Sequence, residues 1–228
     1  MAATEDAHGL LCRAAAAWGV SLDAERSARI DWYISELLAA NRKTNLTADT
    51  DPEVLLLRHV ADGLAAAGVL IKEAPQTSPT ILDLGSGGGC IGMAIKIAWP
   101  QARVTLMESV QRKYRFLNAM AARSGLAGLT VSLRRAGQGA LPAAQSGFDA
   151  VVARAVAPLP EAIGLGLPMA SPSGLFLAFQ TSRPDPEEPN LRRALARHAA
   201  RLVQSFPYRL PREGQDRHLV LFRRLQTG

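Results

Sequence analysis

The chain has 228 residues, 48% of them hydrophobic and 20% charged, which excludes intrinsic disorder and allows one domain of about 150–200 residues with an extension. No window approaches the roughly 18 consecutive apolar residues of a membrane span, and the N-terminus is acidic and polar, so we expect a cytoplasmic protein with no membrane partner. The net charge of +6 suggests a polyanionic partner, and it comes from the last two thirds, because residues 1–79 carry 7 basic and 11 acidic side chains.

The first 79 residues are predicted to be helical. Apolar residues recur at helical spacing between Asp23 and Ala40, and they are Ile30, Tyr33, Ile34, Leu37 and Leu38. A second helix is predicted to start at Asp51, whose carboxylate can cap it ahead of Pro52 in the first turn. The polar segment 41–47 between the two helices is predicted to be a loop.

From Thr80 onward, short apolar runs alternate with helical stretches, a pattern typical of a parallel α/β sheet. The predicted strands cover 80–84, 104–107, 130–133, 150–153 and 175–179, and the predicted helices cover 92–98, 111–124 and 159–169. The last apolar segments, 201–206 and 218–222, leave no room for a crossover helix and predict an antiparallel hairpin at the sheet edge. We therefore divide the chain into an N-terminal helical region (1–79) and an α/β domain (80–228).

The first predicted strand runs into a glycine-rich turn, residues 85–92, where the lack of side chains lets the backbone approach a ligand. Gly87 and Gly89, with a third glycine three residues later, also have the spacing of a dinucleotide-binding turn, so the glycines alone leave two cofactors open. Asp83 would repel a pyrophosphate and favours the cationic groups of S-adenosylmethionine. Glu108 can accept hydrogen bonds from ribose hydroxyls of either cofactor, or it can be an acid preceding the next helix.

Five segments spread along nearly the whole chain carry a resemblance to a known family. They are NRKTNLTADTDPEVLLLRHVADGL (41–64), ILDLGSGGGCIGMAIKIAWPQARVTLMESVQRKYRFLNAM (81–120), FDAVVARAVAPL (148–159), GLFLAF (174–179) and RHLVLF (217–222). Together they resemble the bacterial ribosomal RNA small subunit methyltransferase G family, also called glucose-inhibited division protein B.

The resemblance implies a Rossmann-like class I methyltransferase fold, an α/β architecture with a mostly parallel seven-stranded sheet behind the N-terminal helical region. It implies S-adenosylmethionine as the cofactor and 7-methylguanosine in 16S ribosomal RNA as the product. The implied partner is 16S rRNA or the 30S ribosomal subunit, and we expect the protein to act as a monomer.

The resemblance also implies roles for individual residues. Gly85 and Cys90 fall on cofactor-contacting positions of the glycine turn, Ala136 and Gly137 match a pair on the adenine side, and Arg154 matches an arginine beside the pocket. The full set of predicted cofactor-binding residues is Asp83, Gly85, Gly87, Gly89, Cys90, Glu108, Ala136, Gly137 and Arg154. The predicted substrate-binding residues are Asn45, His59, Arg154 and Gln180. No metal ligands are predicted, because the two cysteines lie far apart without Cys/His spacing.

The chain departs from the family pattern at three places. Gly137 stands where the family usually has an acid, which removes a carboxylate and leaves only a backbone N–H near the adenine. Gln180 and Thr181 replace a lysine and a glycine, which deletes a positive charge on the expected RNA side. Ile91 replaces a common proline, so the start of the following helix is less rigid.

Arg154 is the predicted catalytic residue. Guanine N7 carries a lone pair and no proton, so its methylation needs orientation of the acceptor and no general base. Arg154 could order the guanine through a phosphate, a base edge or stacking, or it could instead form a salt bridge with an acid of the N-terminal region. His59 and Asp62 could line the same pocket or simply pack and cap, and Asn45 and Thr47 could contact substrate or form turn hydrogen bonds.

Three other functions stay open from the sequence. One is a methyltransferase acting on another RNA or on a small molecule, which the arginine-rich C-terminal part disfavours for the small molecule. A second is a nicotinamide-dependent oxidoreductase, which Asp83 disfavours. The third is a catalytically silent RNA-binding homologue, with which Gly137 and Gln180 are compatible.

Overall fold

The computed structural model describes residues 6–74, 76–138 and 147–226. Its helices are α1 (Ala7–Ala17), α2 (Ala24–Thr44), α3 (Pro52–Val54), α4 (Ala61–Glu73), α5 (Cys90–Ala98), α6 (Gln111–Arg123), α7 (Leu159–Gly166) and α8 (Pro189–Arg197). A π-helix, Leu55–Val60, joins α3 to α4, and a 3₁₀ turn, Leu167–Met169, follows α7. The strands are β1 (Thr80–Leu84), β2 (Arg103–Glu108), β3 (Leu129–Leu133), β4 (Phe148–Ala153), β5 (Ala170–Gln180), β6 (Ala200–Arg209) and β7 (Asp216–Arg224).

The strands form one seven-stranded sheet in the order β3-β2-β1-β4-β5-β7-β6. Strands β1 to β5 are parallel to one another, and β7 lies antiparallel to both β5 and β6. The predicted fold class and the predicted edge hairpin are confirmed. From β1 the strand order runs through β2 and β3 to one edge of the sheet, and from β4 it runs towards the other edge, so the order switches between the parallel strands β1 and β4. Ligands of such sheets bind at this switch point, in the crevice outside the carboxyl ends of the strands.

Both faces of the sheet are covered, which explains why its central strands are continuous apolar runs. Alternate residues such as Ile81 and Val152 point into a core shared with α1, α2, α4, α5 and α6. Their neighbours, such as Leu82 and Val151, point to the opposite face, where α7 and α8 pack. The N-terminal helices therefore share one hydrophobic core with the sheet. The division of the chain at residue 79 stays a prediction.

The helical run Pro52–Glu73 lies at the centre of the first core. Its 22 residues are long and apolar enough, by length and composition, to cross a membrane, and 67% of its most apolar window is buried inside the fold, as a core helix would be. It packs closely on α5, because a Cβ placed on Gly63 would lie 2.6 Å from the Cβ of Ala94. Every residue of α5 is buried beneath this contact.

Two helices and one irregularity were not among the predicted elements. Helix α1 is alanine-rich and buries only Leu11 and Ala15, so its apolar periodicity is weak. Helix α8 buries only Leu191, and an N-cap acid defines its start. The π-helix lies within a stretch whose pattern predicts an ordinary α-helix, because one extra residue in a turn leaves no mark on composition.

Candidate functional site

The glycine turn lies at the carboxyl end of β1, at the switch point of the sheet. Gly85, Gly87 and Gly89 all have positive φ angles, of 72°, 60° and 93°. A Cβ at Gly89 would lie 2.7 Å from Leu117, whereas nothing lies within 4 Å of a Cβ at Gly87. The turn is thus closely packed against α6 at Gly89, whereas space is open at Gly87, where a ligand can approach the backbone.

Asp83 joins the end of β1 to the start of α5. Its side chain is 3% exposed, and its Oδ2 accepts a hydrogen bond from the Gly92 N–H at 3.0 Å. Burial raises the pKa of Asp83 to about 6. A buried carboxylate whose charged form is this poorly solvated is stabilised by a cation placed in the adjoining cleft.

Glu108, at the end of β2, faces the same turn. Its Oε2 accepts from the Gly87 N–H at 2.9 Å, and its Oε1 accepts from the Ser109 and Val110 N–H groups, each at 2.7 Å. A carboxylate offers about four acceptor positions, so one is left for a ribose hydroxyl in this arrangement. Glu108 thus has the structural role left open by the sequence, bracing the start of α6, and is also placed to bind a nucleoside.

Tyr33 holds the turn from the N-terminal side and was predicted only as an apolar core residue. Its hydroxyl donates to the Gly88 carbonyl oxygen at 2.8 Å and lies 3.2 Å from the Cys90 Sγ. Burial raises the pKa of the Tyr33 hydroxyl well above its usual value. A buried tyrosine needs a hydrogen-bond partner, so its hydroxyl was the signal that a polar backbone group lay opposite α2.

Two connected cavities open at this edge of the sheet. The first, of about 190 Å³, is lined by Leu46, Thr47, His59, Asp83, Gly85, Ser86, Gly87, Gly88, Cys90, Ile91, Arg154 and Ala155. The second, of about 530 Å³, shares His59, Arg154 and Ala155 with the first and adds, among others, Asp62, Gln180, Tyr208 and Arg217. Together they fall in the range of about 300–1,000 Å³ usual for ligand sites.

Arg154 follows β4 and stands between these two cavities. Its Nη1 donates to the Asp62 Oδ2 at 2.7 Å, and its Nη2 lies 2.9 Å from the His59 Nδ1. The salt bridge to an acid of the N-terminal region, one of the two alternatives from the sequence, is therefore present. His59 and Asp62 both line the 530 Å³ cavity with Arg154, which is one of the two alternatives that the sequence left open for them.

Asp62 is the buried centre of this network, with 1% of its side chain exposed. Besides Arg154, its carboxylate accepts from the Tyr208 hydroxyl at 2.6 Å and lies 3.4 Å from the Arg217 Nη1. Burial and the Asp62 charge raise the pKa of Tyr208. Tyr208 and Arg217 were missed by the sequence analysis, because only the pairing of β6 and β7 brings the C-terminal hairpin over the start of α4.

His59, in the π-helix, has both ring nitrogens occupied. An arginine can only donate, so the Nδ1 facing Arg154 accepts, and the proton resides on Nε2, which lies 2.5 Å from the Asp49 Oδ2. Burial, with a contribution from the charge of Arg154, lowers the pKa of His59. The ring is therefore neutral at pH 7 and ties Arg154 to the loop that holds Asp49.

Comparison with known proteins identifies the family. The model of the rRNA small subunit methyltransferase G family matches residues 26–220. The chain belongs to this family. A ribosomal RNA small subunit methyltransferase G from Sorangium cellulosum is 40% identical over 193 residues, covering 83% of this chain and 79% of that protein. One from Burkholderia thailandensis is 36% identical and covers 96% of this chain and 93% of its own length.

Solved structures of low sequence identity share the fold. Magnesium protoporphyrin IX methyltransferase from Synechocystis with bound SAM has a TM-score of 0.57 at 15% identity, covering 90% of this chain and 98% of that one. TrmN from Thermus thermophilus has a TM-score of 0.53 at 19% identity, covering 75% of this chain and 51% of that one. The predicted enzyme class, an S-adenosylmethionine-dependent methyltransferase of this family, and the predicted cofactor are confirmed.

The residues of this member of the rRNA small subunit methyltransferase G family fit S-adenosylmethionine. The buried Asp83 suits a cation, Glu108 has an acceptor position for a ribose hydroxyl, and the backbone at Gly87 is open. Ala136 and Gly137 lie on the loop after β3, beside β2 in the sheet. Gly137 has a φ of 78°, a conformation in which an acidic side chain would be strained.

Two predicted substrate residues of the family site lie on opposite sides of the cleft. Gln180 ends β5, lines the 530 Å³ cavity and donates its side-chain N–H to its neighbour's carbonyl. Asn45 lines neither of the two cavities described above and caps the end of α2 in the left-handed region at φ 47°. The loop after it is organised by Asn41, whose Oδ1 accepts from the N–H groups of Leu46 and Thr47.

Proposed function

We propose that this protein transfers the methyl group of S-adenosylmethionine to N7 of a guanine in 16S rRNA, acting as a cytoplasmic monomer on the RNA or the 30S subunit. One observation carries the proposal: the cofactor cleft opens through Arg154 into a cavity that arginines line. The description of the family, a small-subunit rRNA methyltransferase, agrees with that geometry and disfavours a small-molecule acceptor.

The 530 Å³ cavity is suited to the acceptor nucleotide. Arg58, Arg154 and Arg217 line it together with the carboxylates of Asp49 and Asp62, and the polar side chains of Gln180 and Thr181 lie at the end of β5. Guanidinium groups bind phosphate oxygens and guanine edges, and the volume lies in the range of about 300–1,000 Å³ for small-ligand pockets. The acceptor therefore enters over β4 and β5, beside the cofactor cleft over β1.

The site contains the groups that N7 methylation needs and does not use a base. S-adenosylmethionine supplies an electrophilic methyl group on a sulfonium, and guanine N7 offers a lone pair with no proton to remove. His59 lines both cavities, and both of its ring nitrogens are already bonded to Asp49 and Arg154. Catalysis then rests on holding the acceptor in line with the methyl group, which can contribute roughly 7–11 kcal/mol.

Arg154 is the residue that we propose orders the acceptor. Asp62 and His59 use two of its N–H groups and fix its plane, and the remaining N–H groups are available to a phosphate or a guanine edge. Asp62 also neutralises the guanidinium, so that a cationic methylated guanine is not formed beside an uncompensated positive charge. Asp62 and His59 act as positioning residues through Arg154.

The test uses 30S subunits from a strain that lacks this modification, with methyl-labelled S-adenosylmethionine. We expect label in 16S rRNA, recovered as 7-methylguanosine and mapped to one nucleotide. Label confined to tRNA or protein would overturn the assignment, and no transfer with intact cofactor binding would favour a silent RNA-binding homologue.

The role of Arg154 is tested in the same assay. Arg154→Gln should lower the methyl-transfer rate, whereas Arg209→Gln, which removes an exposed arginine of β6, should leave it unchanged. S-adenosylhomocysteine binding is measured in parallel for both variants. A wild-type rate and wild-type cofactor affinity in Arg154→Gln would leave Arg154 with a structural role only.

A further inference from the structure

A third cavity, of about 860 Å³, lies beside the cofactor cleft and is not used by the function proposed above. It is bounded by the end of α2, the loop that follows it and the first turn of α6. Its lining residues are Leu38, Asn41, Arg42, Asn45, Leu46, Thr47, Ala48, Thr50, Pro52 and Lys113. The lining contains two cations and no acid, so its electrostatic potential favours an anion.

The two cations are unbalanced within the part of the chain that the structure describes. Helices α2 and α6 pack on each other, and near the C-terminal end of α6 an arginine is neutralised, since Arg123 lies 2.7 Å from Glu36. Near the start of α6, Lys113 and Arg42 share the cavity, and neither forms an ion pair with a described residue. The same pair of helices thus has a matched charge at one end and an unmatched positive charge at the other.

The nearest acids in sequence have other partners. Asp49 is bonded to His59, Asp51 caps the Glu53 N–H, and the Glu53 carboxylate pairs with Arg212. The first turn of α6 adds Arg112 and no acid, although a helix N-terminus favours negative side chains by about 0.3–1 kcal/mol. Arg42, in the last turn of α2, is favoured by the dipole of its own helix, but Arg112 and Lys113 stand at the N-terminal end of α6, where positive charge brings no folding benefit.

The cavity adjoins the cofactor cleft. Leu46 and Thr47 line both, and the Asn41 side chain holds the backbone of this shared wall in place. When the target guanine of an RNA strand lies beside Arg154, the cationic cavity lies on the opposite side of the cofactor cleft, within reach of the same strand. Asn45, which lines this cavity, is exposed.

We propose that this cavity binds the RNA strand next to the methylated nucleotide, with Arg42 and Lys113 contacting its phosphates and Asn45 its sugar or base edge. The inference rests on the proposed function and extends it, because it assigns the predicted substrate contact of Asn45 to a neighbouring nucleotide. A volume of about 860 Å³ lies at the upper end of the range of about 300–1,000 Å³ for small-ligand sites.

The test measures how salt weakens binding of poly(U) RNA to protein saturated with S-adenosylhomocysteine. Each phosphate contact to a single strand contributes about 0.7 to the slope of log K against log salt. Arg42→Gln and Lys113→Gln should each lower the slope by about 0.7. Lys72→Gln is the control, because Lys72 lies in the last turn of α4, well away from the start of α6 and the cofactor edge.

Two readouts separate this inference from the proposed function. The poly(U) slopes require no methyl transfer, so they decide the inference even if 30S subunits are not methylated. If methylation occurs, the two variants should raise the KM for 30S subunits with kcat and S-adenosylhomocysteine affinity unchanged. Slopes for Arg42→Gln and Lys113→Gln equal to those of wild type and Lys72→Gln, with the variants folded by circular dichroism, would overturn the inference.

Discussion

At the scale of single residues, the buried carboxylate of Asp83 lowers the stability of the protein when no cofactor is bound. Its pKa is raised to about 6 by burial, so between about pH 4 and 6 the native state holds a proton that the unfolded chain has released. Stability contributed by this group is complete at low pH and is lost as pH rises through that window, at about 1.4 kcal/mol per pH unit. The carboxylate is retained at a position where a bound cation would compensate for that loss.

We expect Asp83→Asn to gain stability relative to wild type as pH rises from 4 to 6, with a constant difference above about pH 6.5. The amide still accepts from the Gly92 N–H and carries no charge to bury. Urea unfolding at several pH values measures the difference, and S-adenosylhomocysteine affinity should fall in the same variant. A pH-independent difference would show that Asp83 is already well solvated in the folded protein.

Asp62 differs from Asp83 because its charge is paired. Removing one member of a buried ion pair typically costs about 3–5 kcal/mol, since the partner charge stays buried. Asp62→Asn leaves Arg154 and Arg217 facing each other without a carboxylate, so we expect a loss of that size in the free energy of unfolding and a strong loss of methyl transfer.

The matched control for Asp62 is Asp216→Asn, which breaks an exposed arginine–carboxylate pair between β6 and β7. Exposed pairs contribute about 0–1 kcal/mol, so this variant should stay close to wild type in both measurements. If both variants lost the same small amount of stability, the network around Arg154 would not be held by Asp62.

At the scale of elements, the sequence predicted the sheet better than the helices that carry the site. The central strands are recognisable because they are apolar on both faces, and all five parallel strands, including the edge strand β3, were predicted within a few residues except for the long start of β5. The π-helix Leu55–Val60 leaves no compositional signal, although it places His59 against Arg154 and Asp49.

The site itself divides in the same way. Asp83, Gly85, Gly87 and Cys90 follow one another along the chain and line one cavity. Asp83 and Gly87 were predicted from the strand-to-turn pattern, and Gly85 and Cys90 from the family resemblance. The contacts that span the chain, from Tyr33 to Gly88 or from Tyr208 to Asp62, depend on tertiary packing. Local patterns contain no information about which helix covers the turn.

The contact between α2 and the glycine turn is tested by Tyr33→Phe. The change removes one buried hydroxyl and leaves the Gly88 carbonyl without that donor, so we expect a loss of about 1–2 kcal/mol in stability and weaker S-adenosylhomocysteine binding. Tyr114→Phe is the control, because Tyr114 is half-buried and makes no hydroxyl hydrogen bond within the described residues. Equal cofactor affinity in both variants would mean that the turn keeps its shape without α2.

At the scale of the whole molecule, the division of the chain at residue 79 rests on a change in sequence pattern. The larger hydrophobic core contains residues from both sides of this division. Helix α5 is buried throughout, and α4 covers it so closely that Gly63 leaves no space for a Cβ. Residues 80–228 alone would expose this apolar surface, so we do not expect them to fold independently. The intact chain should unfold in one cooperative transition.

The three tryptophans allow the cooperativity of unfolding to be measured. Trp18 and Trp32 lie in the N-terminal helical region and Trp99 follows α5, so Trp99 alone reports the α/β part in a Trp18→Phe/Trp32→Phe variant. We expect its urea midpoint to coincide with that of far-ultraviolet circular dichroism, and Trp99→Phe, which keeps the other two reporters, to give one shared midpoint as well. Separate midpoints for the two reporter sets would show that the helical region is an autonomous unit, and the shared core would then contribute less to cooperativity than its burial indicates.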